Sequence, residues 1–364
     1  MSSSLPQGQR VVVAEFAESP PEAIDKATLQ PMPAPDPSTL RAGDVIIQIK
    51  SASVGWVDLL MTSGQYQHMA KPPYTPGLEW AGTVAWKGAD VKDLGEGDAV
   101  LVDGFLAGPR SLGDYQQYGG FATYGVAPRE AVRRIPGKLT LDQACCLLGN
   151  YETAWHCLVA RGRLQAGETV LINGASGSTG LAAVQVAKLR GATVIATGRS
   201  DEKLAVVKQH GADHVVKIKD GAFRDEVKAL TGGRGVDVVY DGVGGDISLE
   251  SLRCVAFGAR FLIVGWASTP DVAKGKGQRG APKVNMLPTN LMMMKGLDVL
   301  GCPTAIATLN DPSIREPRLN EIFRWAEEGR IHPHVSHVFP LSEFKAAMRA
   351  KWNGEVVGGC VLHP

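Results

Sequence analysis

The stretch VLINGASGSTGLAAVQVAKLRGATVIATGRS, residues 170–200, decides the reading of this chain. A short apolar run reads as a strand. It feeds a turn holding Gly174, Gly177 and Gly180, and the turn opens an apolar helix. A second strand, ATVIATG (192–198), follows the helix. A strict G-x-G-x-x-G would begin where Ala175 stands. Small residues in such a turn let backbone N–H groups approach a pyrophosphate at the helix N-terminus. A glycine pattern alone is weak. Its specificity comes from the strand before, the helix after and a second strand ending roughly 20 residues on. The expectation is a dinucleotide site made by Ser176, Gly177, Ser178, Thr179 and Gly180.

The end of the second strand chooses between dinucleotides. A carboxylate there would accept hydrogen bonds from a ribose 2′-hydroxyl. Gly198-Arg199-Ser200 stands there instead, with no acid before Asp201 and with Lys203 one helical turn on. A guanidinium and an ammonium suit a 2′-phosphate, which an aspartate would repel. NADPH is the expected cofactor, held by Arg199, Ser200 and Lys203. Other phosphate and nucleophile motifs fail here. No G-K-S or G-K-T occurs, and Ser178 stands where a G-x-S-x-G elbow needs glycine.

Outward from this segment, strands and helices alternate as far as LDVLGC (297–302). Strands of four to six apolar residues between helices of about ten indicate a parallel sheet buried on both faces. The expected fold is therefore α/β, with a Rossmann-type doubly wound sheet over 144–304. Residues 1–143 read differently. VVVAEF, DVIIQIKSASV, GTVAW and DAVLVDG are β-rich runs between Pro- and Gly-rich segments, the texture of a small, partly open β-barrel. The tail, 305–364, has mixed texture and is expected to fold back onto that first domain.

Composition excludes several functions. Lys plus Arg is 38 and Asp plus Glu is 37, so no net field gathers nucleic acid or an anionic membrane. None of the six cysteines forms C-x-x-C, so neither structural zinc nor a disulfide framework is expected. No apolar run approaches the roughly 18 residues of a membrane span. A cytoplasmic protein follows. His332, His334 and His337 resemble a metal cluster, but no carboxylate or thiolate completes it nearby, and a structural role is expected.

The chain resembles the medium-chain dehydrogenase/reductases, in their zinc-independent quinone oxidoreductase and enoyl reductase branch. The resemblance runs over nearly all of it. It rests on VDLLMTSGQY (57–66), PPYTPGLEWAGTV (72–84), GEGDAVL (95–101), GGFATYGV (119–126), NYETAWHCL (150–158), the glycine turn, VVYDGVGG (238–245), LIVGWAS (262–268) and NLMMMKGLDVLG (290–301). It implies a GroES-like catalytic domain from 1–143 with 305–364, a nucleotide in the cleft between two domains, and a homodimer joined through edge strands. Zinc relatives carry ligands where this chain has Gly55, Leu78 and Gly149, none of which binds a metal. Without a Lewis acid, an acceptor that delocalises the incoming charge is favoured over a simple ketone. A quinone is the leading acceptor; an α,β-unsaturated ketone or an enoyl thioester is the alternative. A non-catalytic NADPH-binding protein is a third reading.

The resemblance also supplies roles. It makes Tyr66 a candidate proton donor, in a pocket with Gly55, Trp56 and Tyr151. Asn150 and Thr153 would lie beneath the cofactor, and Gly242, Val243 and Gly265 end strands beside it. Two departures matter. A customary tyrosine near the 2′-phosphate is Ile218, flanked by Lys217 and Lys219; either lysine could supply the charge instead, and Lys219 is a candidate cofactor-binding residue. A customary C-terminal lysine is Gly359. The basic segment 268–283 is expected to be a solvated loop, and Met292, Met293 and Met294 are expected in the core.

Overall fold

The computed structural model describes residues 5–66, 70–111, 113–268 and 285–364. The basic loop expected at 268–283 lies, after Ser268, outside the described residues. The chain divides into two compact units, one running to Leu148 and resuming at His334–Pro364, the other lying between Gly149 and Pro333.

The second unit holds six parallel strands. Across the sheet they run His214–Lys217, Thr193–Gly198, Thr169–Asn173, Val236–Asp241, Val255–Ile263 and Asp298–Gly301. Numbered in chain order within this unit, that is 3-2-1-4-5-6, the doubly wound Rossmann arrangement. Leu171, Ile195, Val216, Val239 and Phe261 are all buried, as continuous apolar strands covered on both faces require. The strand order reverses between Thr169–Asn173 and Val236–Asp241, which lie side by side and parallel. The crevice outside their carboxyl ends is where ligands bind in such sheets.

The first unit is a seven-stranded sheet of mostly antiparallel pairs around Asp44–Ser53, which pairs with Glu79–Lys87, Tyr124–Pro128 and Gly359–His363. Trp80, Tyr124 and Phe121 fill its core. Gly125 is required there, because a Cβ would lie 2.4 Å from the Trp80 ring. Gly359 has a similar cause: a Cβ would lie 2.8 Å from Cys146 Sγ, so no lysine fits where the resemblance expects one.

Two expectations change. Residues 305–333 belong to the second unit, not the first. The helix Arg315–Glu327 packs into that unit: Leu319, Ile322, Trp325 and Ala326 are buried, and Arg315 and Arg318 both pair with buried Glu152 on the helix Leu148–Trp155. Met293 and Met294 are not core residues. They are 74% and 57% exposed on the helix Thr289–Lys295, none of whose residues is buried.

Candidate cofactor site

The glycine turn is built by contacts that exclude side chains. Gly174 follows the strand Thr169–Asn173 at φ +66°, a left-handed conformation costly for other residues. A Cβ on Gly180 would meet Gly174 O at 2.4 Å and the Ala175 backbone at 2.8 Å. Gly180 therefore lets the helix Ser178–Leu189 sit tight on the strand. At Gly177 the demand is weaker, with 3.3 Å to Gly174 O. No side-chain hydrogen bond caps the helix at Gly177.

A buried polar network braces the strand ends around this turn. Thr197 donates to Asn173 Oδ1 at 2.9 Å, and Asn173 Nδ2 donates to Ser251 Oγ at 2.9 Å and toward Asp241 at 3.4 Å. Asp241 accepts from the N–H groups of Val243 (3.0 Å) and Gly244 (3.2 Å) and from the Ser248 hydroxyl. One carboxylate thereby shapes the turn after the fourth strand. Val243 Cγ2 then lies 3.0 Å from where a Gly174 Cβ would be, and Gly242 O lies 3.3 Å from that of Gly265. The structure thus gathers the turn 174–180, Gly242, Val243 and Gly265 at one sheet edge. Asn173 and Thr197 were not legible as site-shaping residues: their partners are distant in sequence.

The second strand ends as expected at Gly198, with Arg199 exposed and Ser200 capping the next helix by accepting from Lys203 N–H at 3.4 Å. Lys217 registers beside Gly198, and Ile218 N–H donates to Gly198 O at 2.8 Å, so Lys219 follows on the neighbouring strand end. Lys217 itself is paired with Asp201. An open groove of about 570 Å³ is lined by Leu204, Lys208, Lys217 and Lys219, with Asp201 and Glu226 opposing the cations. No residue of the glycine turn lines it.

Asn150 and Thr153 are partly buried on the helix Leu148–Trp155. Tyr151 is not open to a substrate. It is buried, and its O–H donates to Gln185 Oε1 at 2.9 Å, tying that helix to the one opened by the glycine turn. His156, on the same stretch, is held down to about 4 by burial and then by the Arg318 charge, so it is neutral at physiological pH.

In the first unit, Gly55 begins the helix Trp56–Thr62, and Trp56 is partly buried against Trp352. Tyr66 is partly buried just past that helix. Sequence reasoning missed Asp58. It is fully buried and accepts from Gly55 N–H (2.9 Å), Gly77 N–H (3.2 Å) and Leu78 N–H (3.0 Å). One carboxylate therefore fixes two of the positions where zinc relatives carry ligands. Its spacing, three residues after the cap, was the available signal. Among the described residues, no group of three or more His, Cys, Asp or Glu side chains could hold a metal. No helix among them is long and apolar enough to cross a membrane.

Burial raises the Asp58 carboxyl to about 6, against the backbone bonds that lower it. A pKa raised in the fold means the native state holds its proton through the interval from about 4 to 6, where the unfolded chain releases it. Stability from this group is full below pH 4 and falls as pH rises to 6, by about 3 kcal/mol. Denaturant melts of wild type and Asp58→Asn at pH 4.5 and 7.5 should show the variant's relative stability improving at the higher pH. Parallel stability–pH curves would remove Asp58 as the cause.

A 3-2-1-4-5-6 sheet with a glycine turn at its switch point, in a chain that also has a separate β-rich unit, defines a protein of the Rossmann nucleotide-binding type. Comparison narrows this. One family model, described as "Alcohol dehydrogenase GroES-like domain", matches residues 41–137, and another, "Zinc-binding dehydrogenase", matches 178–308. The chain is 33% identical to mouse "Quinone oxidoreductase-like protein 2" over 321 residues, 86% of this chain and 84% of that protein. Among solved structures, an "NAD-dependent alcohol dehydrogenase" superposes with TM-score 0.79 at 26% identity, covering 98% of this chain and 99% of the other. A mycobacterial protein solved with NADPH gives 0.77 at 25% identity, covering 98% and 100%. The chain belongs to the zinc-independent branch of the medium-chain dehydrogenase/reductase superfamily, a family of oxidoreductases.

Proposed function

We propose that this chain is an NADPH-dependent reductase that delivers hydride to a quinone without a metal. The observation that carries the cofactor reading is the glycine turn: an uncapped helix N-terminus and a cradle at Gly180 that any Cβ would fill. These residues fit a dinucleotide pyrophosphate. Exposed Arg199 and Lys219 and partly buried Lys203, with no acid at the second strand's end, favour a 2′-phosphate over a free 2′-hydroxyl. When bound, the nicotinamide supplies a hydride; the chain's own residues do the rest.

Ser176, Gly177, Ser178 and Thr179 would hold the pyrophosphate, and Gly242, Val243 and Gly265 would admit the ribose and nicotinamide close to the backbone. Asn150 and Thr153 complete that bed. Gly55 and Trp56 would line the acceptor's pocket. Tyr66 would hold a proton for the oxygen that gains charge, a role its phenol O–H can fill. The acceptor must spread that charge itself, because Gly55, Leu78 and Gly149 offer no metal ligand. The name of the mouse relative supports a quinone.

Steady-state kinetics test both halves. NADPH oxidation should be fast with a quinone and slower with a small enone or a 2-enoyl-CoA; turnover of the thioester alone would replace the acceptor. Arg199→Asp should raise the KM for NADPH about tenfold or more while lowering that for NADH, since a charge-assisted bond becomes a repulsion. An unaltered preference would take Arg199 out of the 2′-phosphate site.

The same reading makes the chain a homodimer. The strand Asp298–Gly301 ends the six-stranded order, and Phe257 is 84% exposed beside the exposed Met293 and Met294 helix. An open edge strand flanked by apolar side chains invites a second copy. Sedimentation giving a monomer at micromolar concentration would exclude it.

A further inference from the structure

Trp56 and Trp352 come from opposite ends of the first unit's sequence, yet their rings lie 5.4 Å apart at an interplanar angle of 4°. Trp56 opens one helix and Trp352 closes another, Phe344–Trp352. Those helices contribute to the core: Leu59 and Met61 from one, Phe344, Ala347 and Met348 from the other are all buried. The two indoles stay only partly buried at the margin of that core. Next to Trp56 stands Gly55. Its chain neighbours aside, a Cβ built there meets, among the described residues, Asp58 Oδ2 at 3.0 Å and Val57 N at 4.0 Å and nothing else within 4 Å.

A parallel indole pair is a flat, electron-rich surface held in one orientation. Offset stacking on such a face suits a planar, electron-poor ring and gives nothing to a flexible acyclic chain. Holding the Trp56 ring against Trp352 removes the rotamer entropy that a lone exposed tryptophan would lose on binding. At Gly55 no side chain projects next to the Trp56 ring.

We propose that Trp352, by fixing Trp56 beside Gly55, is a specificity-determining residue that selects fused-ring aromatic quinones over acyclic enones. This rests on the reading that Gly55 and Trp56 line the acceptor pocket. The test is equilibrium dialysis of 1,4-naphthoquinone against the full chain with NADP+ present, for wild type, Trp352→Leu and Trp352→Phe. The leucine variant should bind naphthoquinone about five- to tenfold more weakly, and the phenylalanine variant should recover most of the loss. In turnover with NADPH, the leucine change should raise KM for naphthoquinone by the same factor, with kcat within twofold and 3-penten-2-one kinetics unchanged. Equal losses for both acceptors would assign Trp352 to packing alone and overturn the proposal. So would unchanged naphthoquinone affinity, or no naphthoquinone binding by wild type. Bound naphthoquinone that is never reduced would instead strike the hydride-transfer reading and leave the platform standing.

Discussion

Glu152→Ala should cost the second unit about 3–5 kcal/mol and lower its melting temperature by on the order of 10 °C. Glu152 is 1% exposed, and Arg315 and Arg318 are 8% and 0% exposed. The carboxylate accepts from Arg315 Nε (2.9 Å) and Nη2 (2.7 Å), and from Arg318 Nε (2.9 Å) and Nη2 (2.6 Å). Arg318 Nη2 also donates to Thr308 Oγ1 at 2.8 Å. Two buried cations share one buried anion, so removing it takes from them this shared counter-charge and four acceptor contacts. That penalty is the cost of stranded charge, not the value of the pairs as such. Surface ion pairs such as Lys26–Glu22 set the contrast: solvent screens both charges, so removing one should leave the melting temperature nearly unchanged. Differential scanning calorimetry of the two variants measures both. A Glu152→Ala melt within 2 °C of wild type would mean that the arginines find solvent or other partners.

The same cluster shows where sequence reasoning stopped. Glu152 is 163 and 166 residues from its partners, and nothing local at 315–318 signals that it packs on the helix Leu148–Trp155. The tail's mixed texture therefore suggested the β-rich unit for all of 305–364, whereas only His334–Pro364 belongs there. Local periodicity read well wherever neighbours in sequence are neighbours in space. The six parallel strands, the uncapped turn and the small residues at strand ends all follow from patterns within a few dozen residues. The family resemblance carried the GroES-like unit, whose antiparallel partners are too far apart for a local pattern to pair them. Side chains that act across the fold were invisible: Asp58 reaching Gly77 and Leu78, Asn173 joining Thr197 to Ser251, and Trp352 stacking on Trp56. The methionine run misled for a different reason. Apolar residues suggest a core, but Met293 and Met294 are exposed, and hydrophobicity alone does not distinguish an interior from a surface.

The three glycines of the turn should separate when each is replaced by alanine, because each is a glycine for a different reason. Gly180→Ala puts a methyl 2.4 Å from Gly174 O and within 3 Å of the Ala175 backbone, against atoms that no rotamer change can move. The helix Ser178–Leu189 must lift from the strand Thr169–Asn173, which should cost about 1–3 kcal/mol or more and weaken NADPH binding at least 100-fold, since the N–H groups lose their aim. Gly174→Ala keeps its space, apart from Val243 Cγ2 at 3.0 Å, but holds an alanine at φ +66°, so a loss of about 1–2 kcal/mol is expected. Gly177 has an ordinary φ of −71° and 3.3 Å of clearance, so its alanine variant should melt within about 2 °C of wild type. Its effect should appear in affinity instead: a methyl at the uncapped helix start stands where the pyrophosphate would approach, and NADPH should bind about tenfold more weakly. Fluorescence titration with NADPH, paired with thermal melts, gives both readouts for each variant. A Gly177→Ala protein that binds NADPH as tightly as wild type would move the pyrophosphate off this turn. A Gly180→Ala protein with full affinity would mean that the turn's close packing plays no part in holding the coenzyme.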